Sequence, residues 1–178
     1  MRYEVRIAGL GGQGIILLGV ILAKAIASND KLHVVQTQSY GPESRGGAVR
    51  ADLVISDEPV DYPKVRKADV LVAMSQTAFE TYLGNLKEMG TLVIDPSLVT
   101  PETRRSIIVK EVDATKKASQ LGKLILANMI MLGALIDIIN LASKEAVINA
   151  LKESVSAKNI SEDMRALEVG LETGVKAE

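Results

Sequence analysis

A short β-type run, Tyr3–Leu10, leads without a break into Gly9-Leu10-Gly11-Gly12-Gln13-Gly14. Helical spacing begins directly afterwards, through Ile15, Leu18, Leu22, Ala25 and Ile26. A strand, a glycine turn and a helix in that order restrict the fold more than any other feature of this chain. Gly9, Gly11 and Gly14 match the G-x-G-x-x-G spacing, in which glycines permit a tight turn, close approach of a phosphate and close helix–strand packing. The helix start adds free N–H groups and a partial positive charge.

The alternation continues. His33–Thr37 reads as a second strand, Ser39–Gly47 as a loop rich in turn residues, and Val49–Ser56 as a strand whose direction does not follow from its pattern. A loop at Asp57–Pro63 precedes Val70–Met74, an unbroken apolar strand of the kind buried on both faces of a parallel sheet. A helix capped by Thr77 and Glu80 and ended at Gly90 comes next, followed by strands at Thr91–Ile94 and Ser106–Val112. The remainder reads as one long helix, Ala114–Asn140, and helices near 144–155 and 161–172 with Ser143 and Ser161 as N-caps. This order predicts an α/β fold: a Rossmann-like, doubly wound, mostly parallel sheet with helices on both faces. With 178 residues and no internal repeat, one domain spanning 1–178 is expected, with Gly174–Glu178 loose.

Two features speak against a nicotinamide or flavin site. The second strand carries Gln36-Thr37-Gln38 where such a fold needs an acid for the ribose hydroxyls, and Asp30, at about the right offset, precedes the strand. Ile15 stands where a Walker A loop needs Lys. Three uses of the turn remain open: a bound dinucleotide, contact with another phosphate or a partner chain, or a structural turn alone. The stretch Ser39-Tyr40-Gly41-Pro42-Glu43-Ser44-Arg45-Gly46-Gly47 places Ser44 and Arg45 on a glycine-flanked loop at the carboxyl edge, where doubly wound sheets bind ligands. Arg45 can hold a phosphate or carboxylate through two hydrogen bonds, or pair with a carboxylate across an interface. Ser44 is not a nucleophile-elbow serine, because Pro42 occupies the position of a required Gly. The candidate contact residues are thus Gly9, Gly11, Gly12, Gln13, Gly14, Ser44 and Arg45. Asp52, Asp57, Glu58 and Asp61 read as a solvated turn rather than a hard-metal site, and His33 as structural.

Composition removes several classes of function. Lys and Arg number 21 against 22 Asp and Glu, which excludes a general electrostatic pull on nucleic acid or anionic membrane. Aromatic residues are 3%, with no Trp, too few for a base-stacking platform. No cysteine is present, so no disulfide, thiolate nucleophile, Cys-ligated zinc or iron–sulfur cluster can form on this chain. If the protein serves a redox enzyme, the metal centres sit on another chain. Ile15–Leu22 followed by Ala25-Ile26-Ala27 resembles a secretory signal, but Glu4 and the glycines ahead of it do not, and a cytoplasmic protein is expected. Leu121–Ile139 is long enough to span a bilayer, yet Lys123, Asn128 and Asp137 interrupt it, as in a buried helix of a soluble protein. That helix carries apolar residues on nearly every side, so part of it is expected to pack against a partner chain; its methionines suit either an irregular interface or core filling.

Ile7-Ala8-Gly9-Leu10-Gly11-Gly12-Gln13-Gly14, the stretch Gln38–Gly47, and Asn128-Met129 with Leu132-Gly133-Ala134 together resemble the gamma subunit, or the gamma domain of fused forms, of the 2-oxoacid:ferredoxin oxidoreductases. The resemblance covers nearly the whole chain, and its Ser-Tyr-Gly-Pro-Glu-Ser-Arg-Gly-Gly loop is most similar to the 2-oxoglutarate branch. It implies an oxidoreductase acting on an oxo group with an iron–sulfur protein as acceptor: a 2-oxoacid, coenzyme A and oxidised ferredoxin give an acyl-CoA, carbon dioxide and reduced ferredoxin. It further implies that thiamine diphosphate, Mg and iron–sulfur clusters belong to alpha, beta and delta-type partner subunits, with no cofactor on this chain. Coenzyme A is then a substrate of the complex, ferredoxin is reached through the complex, and neither nucleic acid nor membrane is a partner. This chain would be an accessory, assembling subunit, inactive alone, facing the coenzyme A path through Gly11–Gly14 or the Ser44–Arg45 loop. The alternative is a stand-alone Rossmann-type nucleotide-binding protein, which needs a ribose-binding acid and a catalytic acid or base; neither is evident.

Overall fold

The first β-type run forms strand β1 (Arg2–Leu10), and the glycine turn passes the chain to helix α1 (Ile15–Ala27) in the computed structural model, which describes residues 1–41, 47–173 and 176–177. α1 buries Ile15, Leu18, Ile21, Leu22, Ala25 and Ile26, the side that the helical spacing marked out. The same apolar residues that imitate a signal sequence are therefore core of the domain. Strand β2 (His33–Tyr40) follows, and β3 (Ala48–Ser56) then returns between β1 and β2, antiparallel to both. β2 outruns the expected end at Thr37 because its ladder with β3 continues to Tyr40, opposite Val49.

Strands β4 (Ala68–Ala73), β5 (Leu86–Ile94) and β6 (Ile108–Glu111) extend the other side of β1 in parallel. Helix α2 (Gln76–Tyr82) joins β4 to β5. A short β7 (Lys176–Ala177) pairs antiparallel with β6, so these two residues of the terminal stretch expected to be loose are in the sheet. The order is β2-β3-β1-β4-β5-β6-β7, with three parallel and three antiparallel pairings. The α/β fold with helices on both faces is as expected; the parallel character resides in the β1-β4-β5-β6 run.

Alternation along the strands divides two cores. Val5, Ile7, Leu53, Val70 and Val72 meet α1 and the C-terminal helices; Ala8, Val54, Leu71, Leu92 and Ile94 meet α2 with Val65 and Val99. The long helix expected over Ala114–Asn140 is instead α3 (Ala114–Gln120), a 3-10 turn at Leu124–Leu126 and α4 (Ala127–Ile139). Gly122 adopts φ +87, and the Gly122 and Lys123 N–H groups donate back to the Ser119 and Ala118 carbonyls, which terminates α3. α4 is covered inside this chain. It packs against α1, α3 and α6 (Ile160–Glu172), and every residue from Ala127 to Ile136 is buried. α6 covers this helix because Gly133 and Gly170 let the two backbones meet, whereas Leu124 and Ile125, on the stretch expected to meet a partner chain, stay exposed.

Smaller corrections have local causes. Ser75, not Thr77, caps α2, its Oγ accepting the Ala78 N–H at 3.1 Å. Gly90 lies within β5 rather than after a helix, because pairing of Leu86 with Ala68 starts the strand early and Lys87–Gly90 bulge out of the ladder. Ser143 caps α5 (Lys144–Ser154) as expected, whereas Asn159 occupies the N-cap of α6 and Ser161 lies in its first turn. Among the described residues no helix is long and apolar enough to cross a membrane.

Candidate functional site

The glycine turn sits at the carboxyl end of β1 and is braced from three sides. Gln13 spans it: its Oε1 accepts the Leu10 N–H at 2.7 Å and its Nε2 donates to the Met74 carbonyl, just past β4, at 2.7 Å. The Gly11 N–H donates to the Gly47 carbonyl at 2.8 Å, tying the turn to the start of β3. Gly14 caps α1 with φ +72, and a Cβ there would overlap the amide of the buried Asn128, which reaches over from α4. Gly12 has φ +91, so both positions favour glycine by backbone conformation. Gly14 at the N-cap brings no side chain to the N–H groups of the first turn of α1.

A cleft of about 640 Å³ opens beside the turn, with Leu10, Gly12, Ile16, Leu17, Tyr40 and Val49 among its walls. A second hollow of about 270 Å³ lies on the other side of Gly12, at the carboxyl ends of β1, β4 and β5, between Met74, Leu98, Thr115 and Leu124. That is the crevice in which doubly wound sheets bind ligands. Gly12 and Ile125 line both hollows. Among the described residues neither hollow has a charged side chain in its lining.

The structure thus gathers Gly9, Gly11, Gly12, Gln13 and Gly14 at one place. Ser44 and Arg45 lie outside the described residues, but Gly41 and Gly47, which flank their segment, line the larger cleft. Gln13 has both ends of its amide engaged by main chain, so it holds the turn in shape. Asp30 lies between α1 and β2, one helix length, about 20 Å, from the turn, and is remote from any ligand bound there. His33 is exposed at the start of β2.

Other polar groups stand out only in three dimensions. Arg6 and Asp52 face each other across the β1–β3 ladder and form a buried two-point pair at 2.7 and 2.8 Å. The Tyr82 ring stacks 4.9 Å from the Arg6 guanidinium. Burial alone would lower the Arg6 pKa; the hydrogen bond and charge of Asp52 outweigh it and hold it above its usual value. Asp52 therefore does not belong to the solvated acidic turn of the sequence reading. Asp57 of that turn binds the N-terminal amine, which lowers its own pKa. Asp95, fully buried at the end of β5, accepts the Ser97 and Thr115 N–H groups at 2.9 and 2.6 Å and fastens the start of α3. Charged residues alternating with apolar ones, Glu4 and Arg6 in β1 and Arg50 and Asp52 in β3, are the signal that marks such a pair in the sequence.

Over residues 4–173 the chain matches the pyruvate ferredoxin/flavodoxin oxidoreductase family. It is 47% identical to the 2-oxoglutarate synthase subunit KorC of Methanothermobacter marburgensis, an alignment covering 97% of this chain and 96% of that protein. It is 33% identical to the ketoisovalerate oxidoreductase subunit VorA of the same organism, across 94% of this chain but 35% of VorA. Its fold superimposes with a TM-score of 0.86 on the gamma subunit of a keto/oxoacid ferredoxin oxidoreductase from Geobacter sulfurreducens, at 37% identity and 99% coverage of both chains. On these matches, spread over the sheet, the glycine turn and the C-terminal helices alike, the chain belongs to the pyruvate ferredoxin/flavodoxin oxidoreductase family.

Proposed function

We propose that this chain is the gamma subunit of a multi-subunit 2-oxoacid:ferredoxin oxidoreductase whose oxoacid is 2-oxoglutarate. The observation that carries this reading is the 47% identity to a 2-oxoglutarate synthase subunit over nearly the full length of both proteins. The enzyme takes 2-oxoglutarate, coenzyme A and oxidised ferredoxin to succinyl-CoA, carbon dioxide and reduced ferredoxin. The carbon–carbon bond to the carboxyl group breaks, a thioester forms, and the released electrons pass to ferredoxin.

Thiamine diphosphate, its Mg ion and the iron–sulfur clusters that supply this chemistry reside on alpha, beta and delta-type partner subunits. Without cysteine this chain offers no cluster ligands, and its described residues bring no three His, Asp or Glu side chains together around a metal-sized space. Its contribution is shape. Gln13 and Asn128 hold the turn at the start of α1 in shape, and the N–H groups of that helix start suit a phosphate of coenzyme A approaching between subunits.

The test is purification of the native assembly through this chain, followed by assay of coenzyme A-dependent ferredoxin reduction with 2-oxoglutarate, pyruvate, 2-oxoisovalerate and indolepyruvate. Recovery of thiamine- and cluster-bearing chains with activity on 2-oxoglutarate is the expected result. Activity confined to another acid overturns the substrate, and recovery of this chain alone overturns the subunit reading.

A further inference from the structure

Asn128 is out of keeping with its helix. Every other residue of α4 from Ala127 to Ile136 is apolar or glycine, and Asn128, in the first turn, is only 4% exposed. A side-chain amide has two donor hydrogens and an acceptor oxygen, and burying them without partners is costly. Among the described residues Asn128 makes one side-chain hydrogen bond, and a long one: its Nδ2 donates to the Gly14 carbonyl at 3.4 Å. That carbonyl is already satisfied, because it accepts the Leu18 N–H at 3.0 Å within the first turn of α1. The amide therefore adds little to the stability of either helix. The glycine turn is nevertheless shaped around it, since a Cβ on Gly14 would overlap Asn128 Nδ2.

We infer that Asn128 is a positioning residue for coenzyme A use, acting through Gly14 rather than by touching substrate. A peptide unit is planar and trans, so its C=O and N–H point in opposite directions within one plane. A second bond to the Gly14 carbonyl therefore restrains the Ile15 N–H at the start of α1. Gly14 brings no side chain of its own to steady that first turn, and α4 supplies one from the far side of the sequence. A donor held in place before a phosphate arrives loses less conformational freedom on binding, so the benefit appears as affinity for the ligand and not as stability of the fold. The inference rests on the reading of the glycine turn given above and extends it to a residue of another helix.

The experiment replaces Asn128 in the assembled enzyme by Leu, which branches at the same carbon and suits the apolar surroundings. The Gly14 carbonyl keeps its bond from Leu18, so the unfolding midpoint of the Asn128→Leu assembly is expected to equal or exceed that of wild type. The KM for coenzyme A is expected to rise about fivefold, with kcat at saturating coenzyme A and the KM for 2-oxoglutarate unchanged. Asn128→Ala leaves a cavity and is expected to lower the midpoint while raising the KM for coenzyme A equally, which separates packing from positioning. A KM for coenzyme A equal to wild type in both variants overturns the inference. A lowered midpoint or failed assembly for Asn128→Leu also overturns it, because the amide then serves the fold. Absence of coenzyme A-dependent ferredoxin reduction in the wild-type assembly overturns the proposed function itself, and this inference with it.

Discussion

The two ends of β1 are closed by different chemistry. At the amino end the fastenings are charged. The buried Glu4 carboxylate accepts the Arg66 and Lys67 N–H groups at 2.9 and 3.1 Å and the Arg2 Nε at 2.7 Å. Asp69 accepts the Glu4 N–H at 2.8 Å and the Lys87 Nζ at 2.7 Å. At the carboxyl end the work falls to neutral amides, Gln13 and Asn128. Charged groups thus fasten the amino end of β1, with the Glu4 carboxylate buried among its donors, and neutral amides fasten the carboxyl end.

Several experiments can break or sharpen that contrast. The largest effect is expected for Gly14→Val, which forces a β-branched residue into a left-handed backbone against Asn128; a loss of about 4 kcal/mol in chemical denaturation is expected. Glu4→Ala strands two main-chain donors at the other end and should cost about 3 kcal/mol, leaving assembly of the surviving folded chain intact. Gln13→Met should lower stability by about 1–2 kcal/mol, because one donor and one acceptor lose their partner. Gln13→Glu tests the contrast directly. Its carboxylate still accepts the Leu10 N–H but cannot donate to Met74, and it adds charge at the carboxyl end, so subunit association should fall more than with Gln13→Met. Equal association for both would show that neutrality is immaterial there.

The smallest effect concerns pH. Burial, then the charge of Asp69, raises the pKa of Tyr3 above 10.0. The phenol is thus more easily deprotonated in the unfolded chain than in the folded one. Its stabilising contribution is complete below pH 10 and is lost as pH rises from there through the folded value. Tyr3→Phe should flatten the stability profile of the isolated chain in that alkaline range. An unchanged slope would remove Asp69 and Tyr3 from the set of coupled groups at the amino end.

Much of this arrangement is legible in the residues alone, because local chemistry decides it. Glycine spacing locates the turn, Ser143 marks the start of α5, and the apolar run Val70–Met74 marks a buried strand. Gly122 is harder to weigh, since Leu121 and Leu124–Leu126 continue an apolar pattern across a position where the backbone reverses hand. The cover on α4 comes from α6, some thirty residues further on, and nothing near α4 announces it. The direction of β3 depends on which strands it joins rather than on its own pattern. At the candidate site the turn and the role of its glycines are readable, whereas the bracing by Gln13, Asn128 and Gly47 emerges only from the folded arrangement.

The insertion of β3 between β1 and β2 leaves β2 as the outermost strand on its side. Its sequence, His-Val-Val-Gln-Thr-Gln-Ser-Tyr, has no proline and no acidic, lysine or arginine side chain to discourage another strand from adding to it. Among the described residues, the eight residues of β2 therefore form an open ladder at the margin of the sheet. Sheet-to-sheet clumping is the failure that such an edge favours.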